Sequence, residues 1–126
     1  MRSLIPIGLL AGCATVSADT ASQEADLAQE LAGRTAGAAA ECIDTSSGQA
    51  LDIASANTLV VRQGRTIWVN RLPSACPGLR PMDQLVVEPA ISGRYCRNDR
   101  FRSVQPGSSV PGAYCRFGRF TPYRRP

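Results

Sequence analysis

The 126-residue chain contains no histidine and no lysine, so all of its basic side chains are arginines. Histidine is the usual general base near neutral pH and the commonest ligand of first-row metals, and its absence removes both roles. The sequence also lacks a P-loop, a G-x-S-x-G motif, a G-x-G-x-x-G motif after a strand and an EF-hand loop. We therefore predict no catalytic residue, no metal site and no cofactor.

A pair of carboxylates is the one common catalytic arrangement that this composition leaves open. The strand-rich part of the sequence offers only Asp83, Glu88 and Asp99 for such a pair. Solvated acids that pair with nearby arginines explain the same residues more simply. We expect a protein that is not an enzyme, and we keep a hydrolase that uses these acids as the third hypothesis.

Long hydrophobic runs are also missing. The apolar run at residues 4–11, which follows Arg2, is shorter than the roughly 20 residues that a membrane-spanning helix needs. A basic residue before a short apolar run is typical of a secretory signal. We therefore predict that residues 1–12 direct export.

The end of this segment, "LAGC", resembles the lipobox of bacterial lipoproteins, in which the cysteine is acylated and becomes the new N-terminus. The resemblance implies a lipoprotein signal peptide at residues 1–12 and lipid on Cys13. It also implies an outer-membrane location facing the periplasm, because Ala14 is not the aspartate that retains such proteins at the inner membrane. The small residues at 16–18 form a second possible processing site, which would give a soluble periplasmic or secreted protein.

Export changes how the remaining cysteines are interpreted. Beyond Cys13 there are four, and an even number in an oxidising compartment predicts two disulfides. Their spacings of 34, 20 and 19 residues include no C-x-x-C pair, so a zinc site is not indicated. Four cysteines allow three pairings, and spacing alone does not choose among them. The residues are Cys42, Cys76, Cys96 and Cys115.

Acidic and basic residues are separated along the chain. Residues 13–52 contain seven acids and one arginine, whereas residues 53–126 contain three acids and twelve arginines. The stretch "DTASQEADLAQELAG" carries the only helical signal: a capping box at Thr20 and Gln23, Leu27 and Leu31 at i and i+4, and Gly33 as a stop. We predict that residues 13–32 form a lipid-anchored acidic spacer, either a short helix or a mobile tether.

Residues 33–126 are predicted to form one small disulfide-bonded β domain. "TLVVRQGRTIWVN" predicts a hairpin with strands at 58–62 and 66–70 around Gln63 and Gly64. Further strands are predicted in "QLVVEPAI", which ends near Pro89, and in "DRFRSVQ" and "AYCRFGRF". Turn signals about every ten residues favour a mainly β fold, a small antiparallel barrel or sandwich with two disulfides.

The C-terminal third interleaves arginines with aromatic residues, a combination that elsewhere suggests binding to RNA or single-stranded DNA. Export argues against nucleic acid and favours anionic lipid, lipopolysaccharide or a cell-wall polymer. The alternative is that strand alternation simply places the arginines on a solvated face and the rings in the core. The candidate anion-binding arginines are Arg94, Arg97, Arg100, Arg102, Arg116, Arg119, Arg124 and Arg125.

Four stretches, "AGRTAG" before "ECI", "TIWVNRL", "YCRND" and "FGRFTPYRR", resemble a group of small secreted or lipid-anchored proteins of Gram-negative bacteria classed as domains of unknown function. In that group some members keep only the cysteines that match Cys42 and Cys96. The resemblance therefore implies the pairs Cys42 with Cys96 and Cys76 with Cys115. It implies no catalytic or ligand-binding residue.

A shorter stretch, "ISGRY" at residues 91–95, is similar to part of the motif in membrane-bound lysozyme inhibitors. The tryptophan-rich remainder of that motif is absent, and a basic domain would repel a cationic lysozyme. An inhibitor of an envelope enzyme is therefore the alternative hypothesis. The leading hypothesis is a non-enzymatic envelope lipoprotein with a structural or binding role.

Overall fold

The computed structural model describes residues 18–126 together with Gly8. The rest of the predicted signal peptide and the predicted lipid site at Cys13 lie outside the described residues. Within residues 18–126 no helix is both long and apolar enough to cross a membrane. The elements in chain order are α1 (Ala18–Leu31), β1 (Thr35–Ala36), β2 (Cys42–Asp44), β3 (Leu51–Ser55), β4 (Thr58–Gln63), β5 (Thr66–Arg71), β6 (Gln84–Glu88), β7 (Arg94–Cys96), β8 (Arg100–Val104), β9 (Cys115–Arg116) and β10 (Phe120–Arg124).

The strands form three antiparallel sheets. The central sheet has five strands in the order β1-β10-β5-β4-β3, and the two smaller sheets are β2-β7 and β6-β8-β9. The predicted mainly β antiparallel fold with two disulfides is confirmed. In the part of the chain that the structure describes, no sheet closes on itself, since β1 and β3 remain separate edges of the central sheet.

The hairpin of β4 and β5 is the centre of the fold. The predicted hairpin is confirmed, but its register pairs Gln63 with Thr66, so Gln63 belongs to β4 and the turn consists of Gly64 and Arg65 alone. Gly64 has a φ of 57°, which the primed turns of tight hairpins require at their first central position. The predicted strand before Pro89 is also confirmed, because β6 ends at Glu88.

Both faces of the central sheet are buried. On one face, Leu59 and Val61 of β4 pack with side chains of the two smaller sheets and of the loops beside them. Phe101, Phe117 and Phe120 fill this core and are completely buried. On the other face, Val60, Ile67 and Val69 pack against Leu27 of α1. The domain is therefore layered, with the helix, the central sheet and the two smaller sheets in that order.

The helical alternative for the acidic spacer is the one found, and the helix packs on the β domain. Leu27 is 4% exposed against Val60, Ile67 and Val69, which would face solvent without it. The helix is already formed at Ala18, so Thr20 lies in its first turn and is not the predicted N-cap. Gly33 follows the helix with a φ of 78°, the left-handed conformation of a C-terminal stop.

The two disulfides hold the smaller sheets in place. Cys42 and Cys96 are directly opposed in the β2-β7 pair and are bonded to each other. Cys76, in the connection between β5 and β6, is bonded to Cys115 of β9. This is the pairing that the family resemblance implies. Each bridge constrains the unfolded chain across a long loop, with sequence separations of 54 and 39 residues.

We expect Leu27→Ala to lower the free energy of unfolding by about 3 kcal/mol, because it leaves a cavity between α1 and the central sheet. Denaturant unfolding of the oxidised chain measures the loss. Gln29→Ala, an exposed change on the same helix, is the control and should alter stability by less than about 0.5 kcal/mol. Equal stability of the two variants would contradict the packing of α1 on the sheet.

Candidate anion-binding surface

Strand alternation places the C-terminal arginines and phenyl rings on opposite sides of their sheets. In β8, Phe101 is buried while Arg100 is exposed, and beside β9, Phe117 is buried while Arg116 is exposed. The ring centroid of Phe117 lies 4.9 Å from that of Phe101 and 5.6 Å from that of Phe120. The phenyl rings therefore belong to the core, and they are not part of a ligand-binding face.

The eight predicted arginines do not share one sheet. The structure divides them into three groups: Arg100, Arg102 and Arg116 on the β6-β8-β9 sheet; Arg94, Arg97 and Arg119 beside the acids of residues 41–44; and Arg124 and Arg125 at one end of the central sheet.

The first group lies on the outer face of the β6-β8-β9 sheet, around the half-exposed ring of Tyr114. The guanidinium carbons of Arg100 and Arg102 lie 4.7 and 4.9 Å from the centre of that ring, within the range of cation–π attraction. Arg116 is the register partner of Arg100. Glu88 accepts hydrogen bonds from the Tyr114 hydroxyl at 2.9 Å and from Arg100 at 2.8 Å. The surface is therefore basic, with one acid inside it.

These contacts also set the ionisation of Glu88. The hydrogen bond from Tyr114 is the main cause that lowers the pKa of this carboxyl, and the nearby Arg100 and Arg102 guanidinium groups lower it further. Glu88 is therefore a carboxylate at neutral pH. It neutralises one of the arginine charges on this face.

The second group is largely neutralised within the chain. Glu41 forms an ion pair with Arg97 at 3.0 Å through one oxygen and accepts a hydrogen bond from Arg119 at 2.9 Å through the other. Arg94 is the register partner of Asp44 in the β2-β7 pair. This part of the surface is mixed in charge and is the least suited to an anionic partner.

The third group lies beside two arginines from outside the C-terminal tail, Arg34 and Arg65. Arg124 donates from Nε to the Thr66 hydroxyl at 3.0 Å, and its guanidinium carbon lies 5.8 Å from the centre of the Trp68 ring. Arg125 lines a cavity of about 420 Å³ together with Arg34 and Arg65. Arg34 and Arg65 are far apart in sequence from the arginine-rich tail, and only the pairing of the strands brings them to it.

Three acids of the N-terminal half form ion pairs with arginines of the central sheet. Arg62 pairs with Glu30 at 2.6 Å and with Asp52 at 2.7 Å, and Arg71 pairs with Glu24 at 3.1 Å. Eight arginines form no ion pair with any residue in the described part of the chain. They are Arg34, Arg65, Arg80, Arg94, Arg102, Arg116, Arg124 and Arg125.

The three acids considered for hydrolysis each have a structural partner. Asp99 is 6% exposed and accepts the backbone N–H groups of Cys96 at 2.9 Å and Ala90 at 3.4 Å. Asp83 accepts the backbone N–H of Arg80 at 3.1 Å, and Glu88 is bound as described above. Among residues 18–126 and Gly8, no cluster of three or more potential metal ligands is found.

Glu24 is the acid that joins α1 most closely to the central sheet. One of its oxygens accepts from the hydroxyl groups of Ser55 and Thr58, both at 2.6 Å, and the other accepts from Arg71. Burial alone would raise the pKa of this carboxyl, but the hydrogen bonds from Ser55, Thr58 and Arg71 outweigh it and hold the pKa below its ordinary value. Ser55 and Thr58 are fully buried, and this carboxylate is the acceptor for both of their O–H groups.

No family model matches the chain, and no curated protein or solved structure shows significant similarity to it.

We expect Glu24→Gln to lower the free energy of unfolding by about 1 kcal/mol at pH 7, because charge-assisted hydrogen bonds become neutral ones. The native pKa lies below the ordinary value of 4.5, so the stabilisation is complete above pH 4.5 and is lost as the pH falls through the native pKa. Denaturant unfolding between pH 7 and pH 3 should show the two proteins converging at low pH. Asp26→Asn, at an exposed acid of the same helix, is the control. A difference in the free energy of unfolding between the parent chain and Glu24→Gln that does not change with pH would contradict the lowered pKa of Glu24.

Proposed function

We propose that the protein is a non-enzymatic lipoprotein of the cell envelope that contacts anionic envelope components through its arginines. In this proposal lipid on Cys13 anchors the domain to the outer membrane, facing the periplasm. The anionic partners are lipid headgroups, lipopolysaccharide or a cell-wall polymer. Membership in the group of small Gram-negative proteins that the sequence resembles is part of the same proposal.

The observation that carries the proposal is the set of eight arginines without an ion-pair partner in the described residues. Arginine binds phosphate and carboxylate groups through two parallel hydrogen bonds, and its charge is permanent at any physiological pH. Arg102 and Arg116 supply such groups on the outer face of the β6-β8-β9 sheet. Arg124 and Arg125 supply them at the end of the central sheet.

The position of α1 is compatible with a short anchor. The helix begins at Ala18, and Cys13 precedes it by five residues, so their Cα atoms can be at most about 19 Å apart. Lipid on Cys13 would therefore keep the folded domain close to the membrane surface. That placement brings its arginines within reach of anionic material in the envelope.

We expect the oxidised full chain carrying Cys13→Ser to bind vesicles of phosphatidylglycerol and phosphatidylcholine, and lipopolysaccharide, with an affinity that falls as salt is raised. The double variant Arg102→Gln, Arg116→Gln should weaken vesicle binding about thirtyfold, since each arginine near an anionic surface contributes on the order of 1 kcal/mol. Co-sedimentation at several salt concentrations provides the measurement.

The matched control is Ser22→Glu, Gln29→Glu, which lowers the net charge by the same amount on the exposed side of α1. Its binding should stay close to that of the parent chain. Contact through the arginine face would be refuted if the vesicle affinity did not change with salt concentration, or if it fell equally in both double variants. Tight one-to-one binding to a single envelope enzyme with little salt effect would instead support the inhibitor hypothesis.

The anchor is tested by the intact mass of the protein extracted from bacterial membranes, before and after reduction. We expect a chain that starts at Cys13, carries diacylglycerol and gains four hydrogens when its two disulfides are reduced. A soluble chain that starts after the small residues at 16–18 would refute the lipid anchor and leave the arginine contacts to be judged by the binding experiment.

A further inference from the structure

One end of the central sheet brings three arginines into a single row. In the register of β1, β10 and β5, Thr35 pairs with Arg124 and Arg124 pairs with Thr66. Arg34, Arg65 and Arg125 are the residues next to these three positions in sequence, just outside the ends of the strands. The register of the strands therefore brings the three residues to the same end of the sheet. Together with Gly64 and Pro126 they line the cavity of about 420 Å³.

The cavity lining contains no acidic side chain. Within the described residues, none of the three guanidinium groups forms an ion pair. Glu30 interacts electrostatically with Arg34, but both of its oxygens already accept from Arg62, at 2.6 and 2.8 Å. Pro126, the last residue of the chain, also lines the cavity, and its α-carboxylate forms no ion pair with the three guanidinium groups. The positive charges at the cavity therefore exceed the negative ones, and a bound anion would relieve the repulsion among them.

Arg34 is the side chain that is held most firmly at this site. Its Nη1 donates to the backbone carbonyl of Arg65 at 2.8 Å, which fixes the guanidinium against the β4-β5 turn. Its Nε is buried and has no hydrogen-bond partner, the only such side-chain atom found in residues 18–126 and Gly8. Buried donors without an acceptor are rare in folded proteins, so Arg34 keeps hydrogen-bonding capacity that the described residues do not use.

The local backbone leaves room for such an acceptor. Gly64 has no side chain, and a Cβ placed on it would meet nothing within 4 Å. The C-terminal end of α1 lies just before Arg34, and its free carbonyl groups carry a partial negative charge that offsets part of the repulsion among the arginines. That partial charge is small compared with three full positive charges, so the site still favours an anion.

We propose that Arg34, Arg65 and Arg125 form a binding site for a phosphate monoester. Three guanidinium groups match a ligand with more than one negative charge, which a phosphate monoester has at neutral pH and a single carboxylate does not. Arginine also presents its donors in a fork that fits phosphate oxygens. The inference rests on the proposed function only for the source of the phosphate, which is either a lipid-linked phosphate or a small soluble ester.

The test is calorimetric titration of the oxidised full chain carrying Cys13→Ser with inorganic phosphate and with glycerol 3-phosphate, at constant ionic strength. We expect saturable one-to-one binding that acetate does not reproduce. Arg65→Gln and Arg125→Gln should each weaken it about tenfold, in keeping with the loss of a charge-assisted hydrogen bond. The side chains of Arg65 and Arg125 make no hydrogen bond or ion pair within the described residues, so both variants should keep the fold.

Arg80→Gln is the matched control, because Arg80 is also unpaired in the described part of the chain but does not line this cavity. Its phosphate affinity should stay within twofold of the parent chain. An equal loss in Arg80→Gln, an equal affinity for acetate, or the absence of saturable binding would each overturn the site. A change in the Nε–H resonance of Arg34 on adding phosphate would support it, because that donor is the one left without a partner.

Two further measurements separate this inference from the proposed function and identify the source of the phosphate. The variant Arg102→Gln, Arg116→Gln should keep its phosphate affinity while it loses vesicle binding. If the parent chain binds vesicles but not phosphate, the phosphate site in the cavity is refuted and the envelope contact stands. If it binds phosphate but not vesicles, only the envelope contact is refuted. If glycerol 3-phosphate displaces phosphatidic acid vesicles from the protein, a lipid-linked phosphate is a ligand of this cavity. If only the soluble ester binds, the ligand is a small ester. Both results support the site.

Discussion

The burial of β4 on both of its faces is the constraint around which the rest of the structure is arranged. Residues 58–61 are all buried, with Leu59 and Val61 directed to the phenyl-ring core and Val60 directed to α1. A sheet with two apolar faces needs a cover on each, and burial of such side chains is the main stabilising contribution in a small domain. The helix supplies one cover, and the two disulfide-linked smaller sheets supply the other.

The polar surface follows from this arrangement. The helix that covers the sheet is acidic, and its carboxylates meet arginines that project from β4 and β5. Glu24 also serves two buried hydroxyl groups, which burial would otherwise leave without an acceptor. Because Glu24 and Glu30 of the helix are paired with Arg71 and Arg62, they do not neutralise the arginines of the β6-β8-β9 sheet or of the C-terminal tail. The basic surface is thus a consequence of how the core is closed.

Local signals in the sequence predict the central part of this fold. The β4-β5 hairpin, its turn at Gly64, the end of β6 before Pro89 and the end of α1 at Gly33 each follow from residues within one turn or strand. A long β-branched run next to a two-residue turn leaves few alternative structures for this segment. For these elements the sequence is sufficient, because the residues that determine the geometry are neighbours.

The features that the sequence does not predict depend on distant residues. Strands β1, β2, β7 and β9 have only two or three residues each, too few for an alternating pattern to be recognised. Two leucines on α1 form a narrow apolar stripe, and the residues of the central sheet that they contact lie about 30 to 40 positions further along the chain. Arg34 and Arg65 join Arg125 only through the register of three strands. The arginine-rich tail is visible in the sequence, but its division among three sheets is not.

The position of β10 has a consequence for the order of folding. This strand, the most C-terminal one in the structure, lies between β1 and β5, so the central sheet combines residues from near both ends of the described chain. Such a topology has a high contact order, and its closure must overcome the entropy of a long loop before any pairing compensates for it. While β10 is still missing, the β3-β4-β5 meander exposes β5 as an open edge, to which a strand of another chain could pair. The central sheet therefore cannot be completed until β10, the last strand of the chain to be synthesised, has paired with β5.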